Sequence, residues 1–276
     1  MTLAARNIVL VIGVVITSLL TLGYLGAGYA LLAGPWADAS FAIPRVQQWF
    51  GVSWEVTRFA ALQSLAAAGL MGLLSTATGA VSLRLFRRVS SAEIYFMTLF
   101  VMSLSVETIR IGLPVFAVNE VPLFWGVVLT RIVLFGRFAG ALALFTAGIY
   151  SAGADYPRIG TVTLLLATLS FLIVYFVPVD SERVNATFVH VVGNRESIDF
   201  LLAFLSAATI VNYLIGWSRG HREHGGAVAI AVVAVVVGKE LVLHVPSLLP
   251  LLVGVVLVVA GTVSFVLVNR SYFIWY

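Results

Sequence analysis

Cysteine is absent from the 276 residues, which excludes disulfides, thiolate metal centres, iron–sulfur clusters and thiol nucleophiles. Charge is nearly as scarce: Lys, Arg, Asp and Glu make up 10% of the chain, where a soluble domain carries about a quarter. Sixteen basic against twelve acidic residues leave a net charge of +4, too diffuse for a nucleic-acid footprint. The chain holds no His-Glu-x-x-His helix and no Walker-type phosphate loop, so the usual signatures of intramembrane metalloprotease and phosphate chemistry are missing. Three of its four histidines, His190, His221 and His224, fall between apolar runs, which leaves no pair of axial ligands for a haem. No metal and no cofactor are expected.

What is there is apolar. Hydrophobic residues make up 61% of the chain and the mean hydropathy is +1.07. A membrane-crossing helix needs roughly 20 mostly apolar residues, and eight runs satisfy this, approximately 7 to 33, 57 to 83, 92 to 118, 122 to 150, 160 to 179, 198 to 217, 227 to 245 and 248 to 268. None shows the period-two alternation of a barrel strand. The fold expected is all-α, a polytopic transmembrane bundle of about eight helices forming a single domain over residues 1–276, with no soluble domain. The first run is too long for the apolar part of a cleaved signal and is expected to remain as an anchor.

Arginine placement orients the chain. Arg6, Arg84, Arg87, Arg88, Arg158, Arg219, Arg222 and Arg270 share one side, against Arg45, Arg58, Arg183 and Arg195 on the other, which places both termini in the cytoplasm. The last two runs are separated only by Pro246, Ser247 and the stretch to Pro250. A tight outer hairpin is the expectation; a re-entrant segment would give seven spans. Two outer loops are long: Gly34 to Val56, carrying Trp36, Phe41, Trp49, Phe50 and Trp54, suits the headgroup level, and Asp180 to Glu196 is expected to be wet and partly ordered. Gly136 and Gly140 are spaced for close helix approach and are read as packing within the chain. The imidazoles of Gly220-His221-Arg222-Glu223-His224-Gly225 are read as part of a solvated turn.

Ionisable groups at membrane depth are costly, face bundle interiors and mark functional routes. Glu107 and Arg110 lie three apart on the third helix, Arg131 and Arg137 lie on the fourth, and Lys239 and Glu240 adjoin on the seventh with His244 one turn on. Counted inward from the loops, Glu107 lies about 22 Å from the cytoplasmic boundary and Arg131 about 13 Å from the outer one. Arg137 points about 120° away from Arg131 on an ideal helix. Four cations against two carboxylates leave a positive surplus, which invites a small anion or a lipid headgroup held by forked arginine contacts.

The stretch Ser91-Ala92-Glu93-Ile94-Tyr95-Phe96-Met97-Thr98-Leu99-Phe100, followed by Ser103-Leu104-Ser105-Val106-Glu107 and Arg110, resembles a segment of uncharacterised multi-pass membrane proteins of spirochaete type. Phe135-Gly136-Arg137-Phe138 and Ala147-Gly148-Ile149-Tyr150-Ser151-Ala152-Gly153 are similar to the next segment of that group. The resemblance implies a bacterial inner-membrane setting and carries no chemistry.

The reading from sequence is a non-enzymatic multi-pass inner-membrane protein, with no catalytic residues. It binds a small anionic or amphipathic ligand through Glu107, Arg110, Arg131, Arg137, Lys239, Glu240 and His244, for sensing or solute transport. On that reading Arg131→Ala or Lys239→Ala abolishes ligand-dependent stabilisation. The alternative is a structural or accessory subunit whose buried charges pair with a partner membrane protein or with a second copy.

Overall fold

The computed structural model describes residues 3–33, 46–49, 52–55, 58–86, 91–154, 158–185, 187–219, 225–244 and 247–274. Among them are helices α1 (Leu3–Ala33), α2 (Arg58–Phe86), α3 (Ala92–Ser103), α4 (Gly112–Val118), α5 (Leu123–Ser151), α6 (Ile159–Phe176), α7 (Arg195–Ser218), α8 (Gly225–His244) and α9 (Leu248–Ile274). Eight helical stretches are long and apolar enough to cross a membrane, the third running from Ala92 to Val118 through α3, a 3-10 segment and α4. They coincide with the eight apolar runs, with ends shifted by a few residues. α8 and α9 pack tightly against each other as an antiparallel pair, which bears out the eight-span reading over seven. The loop 220–224, with His221 and His224, lies outside the described residues, as do Arg45, Arg87, Arg88 and Arg222.

Small residues set the distances between helices. A Cβ on Gly136 would sit 2.7 Å from the Val106 Cβ, and one on Gly140 would collide with the Ser103 hydroxyl. The Gly136/Gly140 spacing therefore seats α5 on the third span of the same chain, as expected from sequence. The α8–α9 seam is closer still: a Cβ on Gly238 would lie 2.6 Å from the Gly254 carbonyl oxygen, and one on Gly261 2.6 Å from that of Ala231. Backbones can approach this far only where side chains are absent or minimal. The third, fourth and seventh spans are the most enclosed, whereas α1 and α6 expose most of their apolar surface, as helices facing lipid do.

The third span is not a uniform α-helix. Ser91 caps α3, its hydroxyl accepting from the Ile94 N–H at 3.4 Å, and residues Leu104–Ile111 then tighten into a 3-10 segment. Pro114 has no N–H to offer the Arg110 carbonyl four residues back, and a 3-10 run of this length is uncommon and marks strain or a hinge. Three residues per turn bring Leu104, Glu107 and Arg110 into line on one face.

Two short strand pairs occupy the side that the arginine count assigns to the exterior. β1 (Val46–Trp49) pairs antiparallel with β2 (Val52–Glu55), and β3 (Val179–Val184) with β4 (His190–Val192). The second pair corrects the expectation of a wet loop. Glu182 and Arg183 are exposed, but Thr187, Phe188, Val189 and His190 are buried, with Phe188 against Leu31, Leu65 and Ile111. The His190 N–H donates to the Thr130 hydroxyl at 3.0 Å. The loop plugs the outer mouth of the bundle because its tip is apolar and its polar backbone is satisfied internally.

Asn185 organises that tip. Its side-chain oxygen accepts from the Thr187 N–H at 3.0 Å, the Thr187 hydroxyl at 2.8 Å and the Val189 N–H at 3.1 Å, an arrangement that holds Phe188 at a left-handed φ of 54°. Asn185→Ala removes an acceptor worth about 1 kcal/mol for each bond that water does not replace. Faster amide exchange confined to residues 179–192 in detergent is expected; unchanged protection would show that burial of Phe188 alone seats the hairpin.

Candidate functional site

Glu107 is the hub of the core. Its carboxylate takes a forked contact from Arg137, Nε to Oε1 at 2.7 Å and Nη2 to Oε2 at 3.0 Å, and meets Arg110 Nε at 3.1 Å. Such planar pairing is the geometry at which arginine excels. Arg110 is 1% exposed, and its other donors go to main-chain carbonyls, Thr187 at 3.3 Å in the hairpin and Ser64 at 3.5 Å in α2. One guanidinium thus ties the helix break, a neighbouring span and the outer plug together.

A second group lies on α8. Lys239 Nζ is 2.8 Å from Glu240 Oε1 and His244 Nδ1 is 3.0 Å from Glu240 Oε2, while the Ser206 hydroxyl donates to Glu240 at 3.4 Å. Toward the exterior, His244 Nε2 stands 3.9 Å from Asp199 Oδ1, and Asp199 pairs with Arg195 at 3.3 Å.

Two small cavities join the groups. One of about 20 Å³ is lined by Ser103, Glu107, Arg137, Lys239, Glu240 and His244. The other, of about 40 Å³, lies beneath the hairpin and is lined by Asn185, Thr187, Arg195, Asp199, Arg137 and His244. Arg137 and His244 border both. About 10–15 Å³ suffices for a water, so this polar seam has room for occupants of that size.

Six of the seven residues singled out from sequence meet here: Glu107, Arg110, Arg137, Lys239, Glu240 and His244. Arg131 does not join them, for its side chain is exposed. Six residues turn an α-helix through about 600°, so α5 cannot aim Arg131 and Arg137 into one interior. Sequence reasoning also missed Asp199 and Arg195. Asp199 falls inside the expected sixth run, and its i,i+4 relation to Arg195 was the available signal.

In the hairpin, His190 is 1% exposed and its ring nitrogens make no close hydrogen bond among the described residues. Burial pushes its pKa below the ordinary imidazole value, against the opposing pull of the backbone at Arg183 and Asp180 and of the Asp180 carboxylate. It sits against α5, where a Cβ on Gly126 would lie 2.5 Å from Nε2.

These features define a polytopic helical membrane protein with a charged, water-sized interior. An uncharacterised protein of Treponema pallidum (strain Nichols) is 31% identical over 193 residues, covering 63% of this chain. The chain spans 56% of that relative's length. No family profile matches. The relative is consistent with the spirochaete-type resemblance and assigns no activity.

Proposed function

We propose that this protein is a bacterial inner-membrane protein without enzymatic activity that binds a small anion in the polar seam of its bundle, for solute transport or sensing. The observation that carries the reading is the charge balance around the cavities. Arg137, Lys239 and Arg195 balance Glu107, Glu240 and Asp199 on the cavity walls, and Arg110, behind Glu107, gives the whole cluster a surplus of one positive charge. In a low-dielectric interior such a surplus attracts a counter-ion. Arg137 and Lys239 border the same cavity and are its natural ligands.

Size narrows the choice. Pockets for drug-sized ligands measure about 300–1,000 Å³, whereas these cavities measure about 20 and 40 Å³. The seated hairpin therefore admits an anion of a few atoms at most, and a phosphate or lipid headgroup requires the plug to leave. The structural-subunit reading draws support from a different fact: Glu107 and Glu240 already have cationic partners.

Thermal unfolding of the detergent-purified chain with sodium fluoride, chloride, nitrate, formate and phosphate separates the two. A ligand at one hundred times its Kd stabilises by about 2.7 kcal/mol, so a saturable rise in Tm with a small anion is expected. Lys239→Gln loses the rise relative to its own baseline, and the exposed Arg131→Ala keeps it. A monodisperse, folded sample that responds to none of these salts overturns the anion site and favours the structural reading.

A further inference from the structure

His244 stands between two carboxylates. Its Nδ1 lies 3.0 Å from Glu240 Oε2 and 3.3 Å from the Glu240 carbonyl, both acceptors, so Nδ1 carries the proton of the neutral ring. Nε2 stands 3.9 Å from Asp199 Oδ1, so protonation at Nε2 turns a donor toward that carboxylate while Nδ1 keeps Glu240.

Two cations oppose that protonation. Arg137 and Lys239 line the inner cavity with His244, as does the Glu107 carboxylate, and Arg110 lies behind Glu107. On the outer side the charged neighbours are Asp199 and Arg195 on α7, and the hairpin contributes the uncharged Asn185 and Thr187. An anion lodged beside Arg137 and Lys239 cancels their repulsion of the imidazolium while leaving the attraction of Glu240 and Asp199 intact.

The route for a proton is graded from surface to core: side-chain exposure falls from 33% at Arg195 to 15% at Asp199 and 7% at His244. The 3.9 Å gap between Asp199 and His244 exceeds a direct hydrogen bond and suits a bridging water, for which the adjoining outer cavity has room.

We propose that His244 is the proton-exchange point of the anion site, taking a proton at Nε2 from the outer side by way of Asp199 whenever the seam takes up an anion, so that the two enter together. This rests on the anion reading above. Nothing covalent is made or broken: one proton leaves the outer water, one anion enters, and the occupied seam holds the same charge as the empty one.

The test measures chloride- and formate-dependent thermal stabilisation from about pH 5.5 to 8, together with proton uptake reported by pyranine in weakly buffered detergent. In the wild type, apparent affinity is expected to tighten by up to about tenfold per unit fall in pH, as linkage of one proton to one anion requires, with about one proton taken up per anion. His244→Gln keeps anion-dependent stabilisation but loses the slope and the uptake. His190→Gln, at a second buried imidazole, keeps both. If His244→Gln does not fold, Asp199→Asn is the second variant, and a shallower slope is expected. Affinity independent of pH, or an undiminished slope in both His244→Gln and Asp199→Asn, overturns the proton coupling while leaving the anion site. No stabilisation by either salt at any pH overturns both.

Discussion

Glu107→Ala is expected to abolish recovery of a monodisperse bundle. The carboxylate is 3% exposed and compensates Arg137 and Arg110 at once. Its removal leaves two guanidiniums buried on one another's side of the core. Breaking one buried pair by deleting a partner costs about 3–5 kcal/mol, and whole proteins are stable by only about 5–15 kcal/mol. Glu107→Gln keeps an acceptor for Arg137 and the shape of the site while losing the charge, and should melt between the wild type and the alanine variant. Fluorescence-detected size exclusion with a thermal ramp reads the series. The pair exchange, Glu107→Arg with Arg110→Glu, separates the structure from a simpler picture. An isolated i,i+3 pair tolerates reversal, as the sequence alone suggests for these two residues. Here reversal sets an arginine against Arg137 and a carboxylate against the Thr187 and Ser64 carbonyls, so the exchange should fare no better than Glu107→Ala. A melt near that of the wild type would mean that the contacts beyond the pair contribute little.

Gly238→Leu carries the second large effect. The α8–α9 seam brings main chain against main chain: a Cβ on Gly238 would meet the Gly254 carbonyl oxygen at 2.6 Å, the Val258 N at 2.8 Å and the Leu257 Cβ at 2.9 Å. Two of those three neighbours are backbone atoms, which cannot swing aside as a rotamer does. Overpacking an ordinary core costs about 1–3 kcal/mol, and a site walled by backbone should exceed that range. Parting α8 from α9 also moves Lys239 and Glu240, the next residues along α8. The variant is therefore expected to lose both thermal stability and the anion response, whereas Gly23→Leu, at a glycine with nothing within 4 Å of its Cβ position, should lose neither. Equal melting of the two variants would show that the seam yields.

The spans were legible because length and hydropathy suffice to define them, and the Gly136/Gly140 approach because residue size alone decides it. The six clustered charges were legible individually, since ionised groups at membrane depth have few places to go. Their partners were less so. Glu107 and Arg137 are 30 residues apart, and no local pattern joins them. Arg131 could have been set aside from helical phase, which gives it and Arg137 different faces of α5. Asp199 was visible inside an apolar run but went uncounted. The Gly112–Pro114 neighbourhood pointed to a break, yet the tightening lies upstream at Leu104–Ile111, because proline starves the carbonyl four residues before it. The outer hairpin misled most. Asp180, Glu182 and Arg183 gave the loop a polar look, while Asn185 turned the following residues inward to bury them.

The arrangement of charges has a consequence for biogenesis. The third span carries Glu107 and Arg110 as a self-neutralising pair, and the seventh carries Lys239 beside Glu240, so each can leave the insertion machinery without net intramembrane charge from these residues. The fourth span has no such internal partner for Arg137, whose counter-ion was synthesised 30 residues earlier. Release of the fourth span into lipid is therefore tied to its docking on the third, and the two should partition as a helical hairpin. Assembly order is thereby written into which helix lacks its own counter-charge.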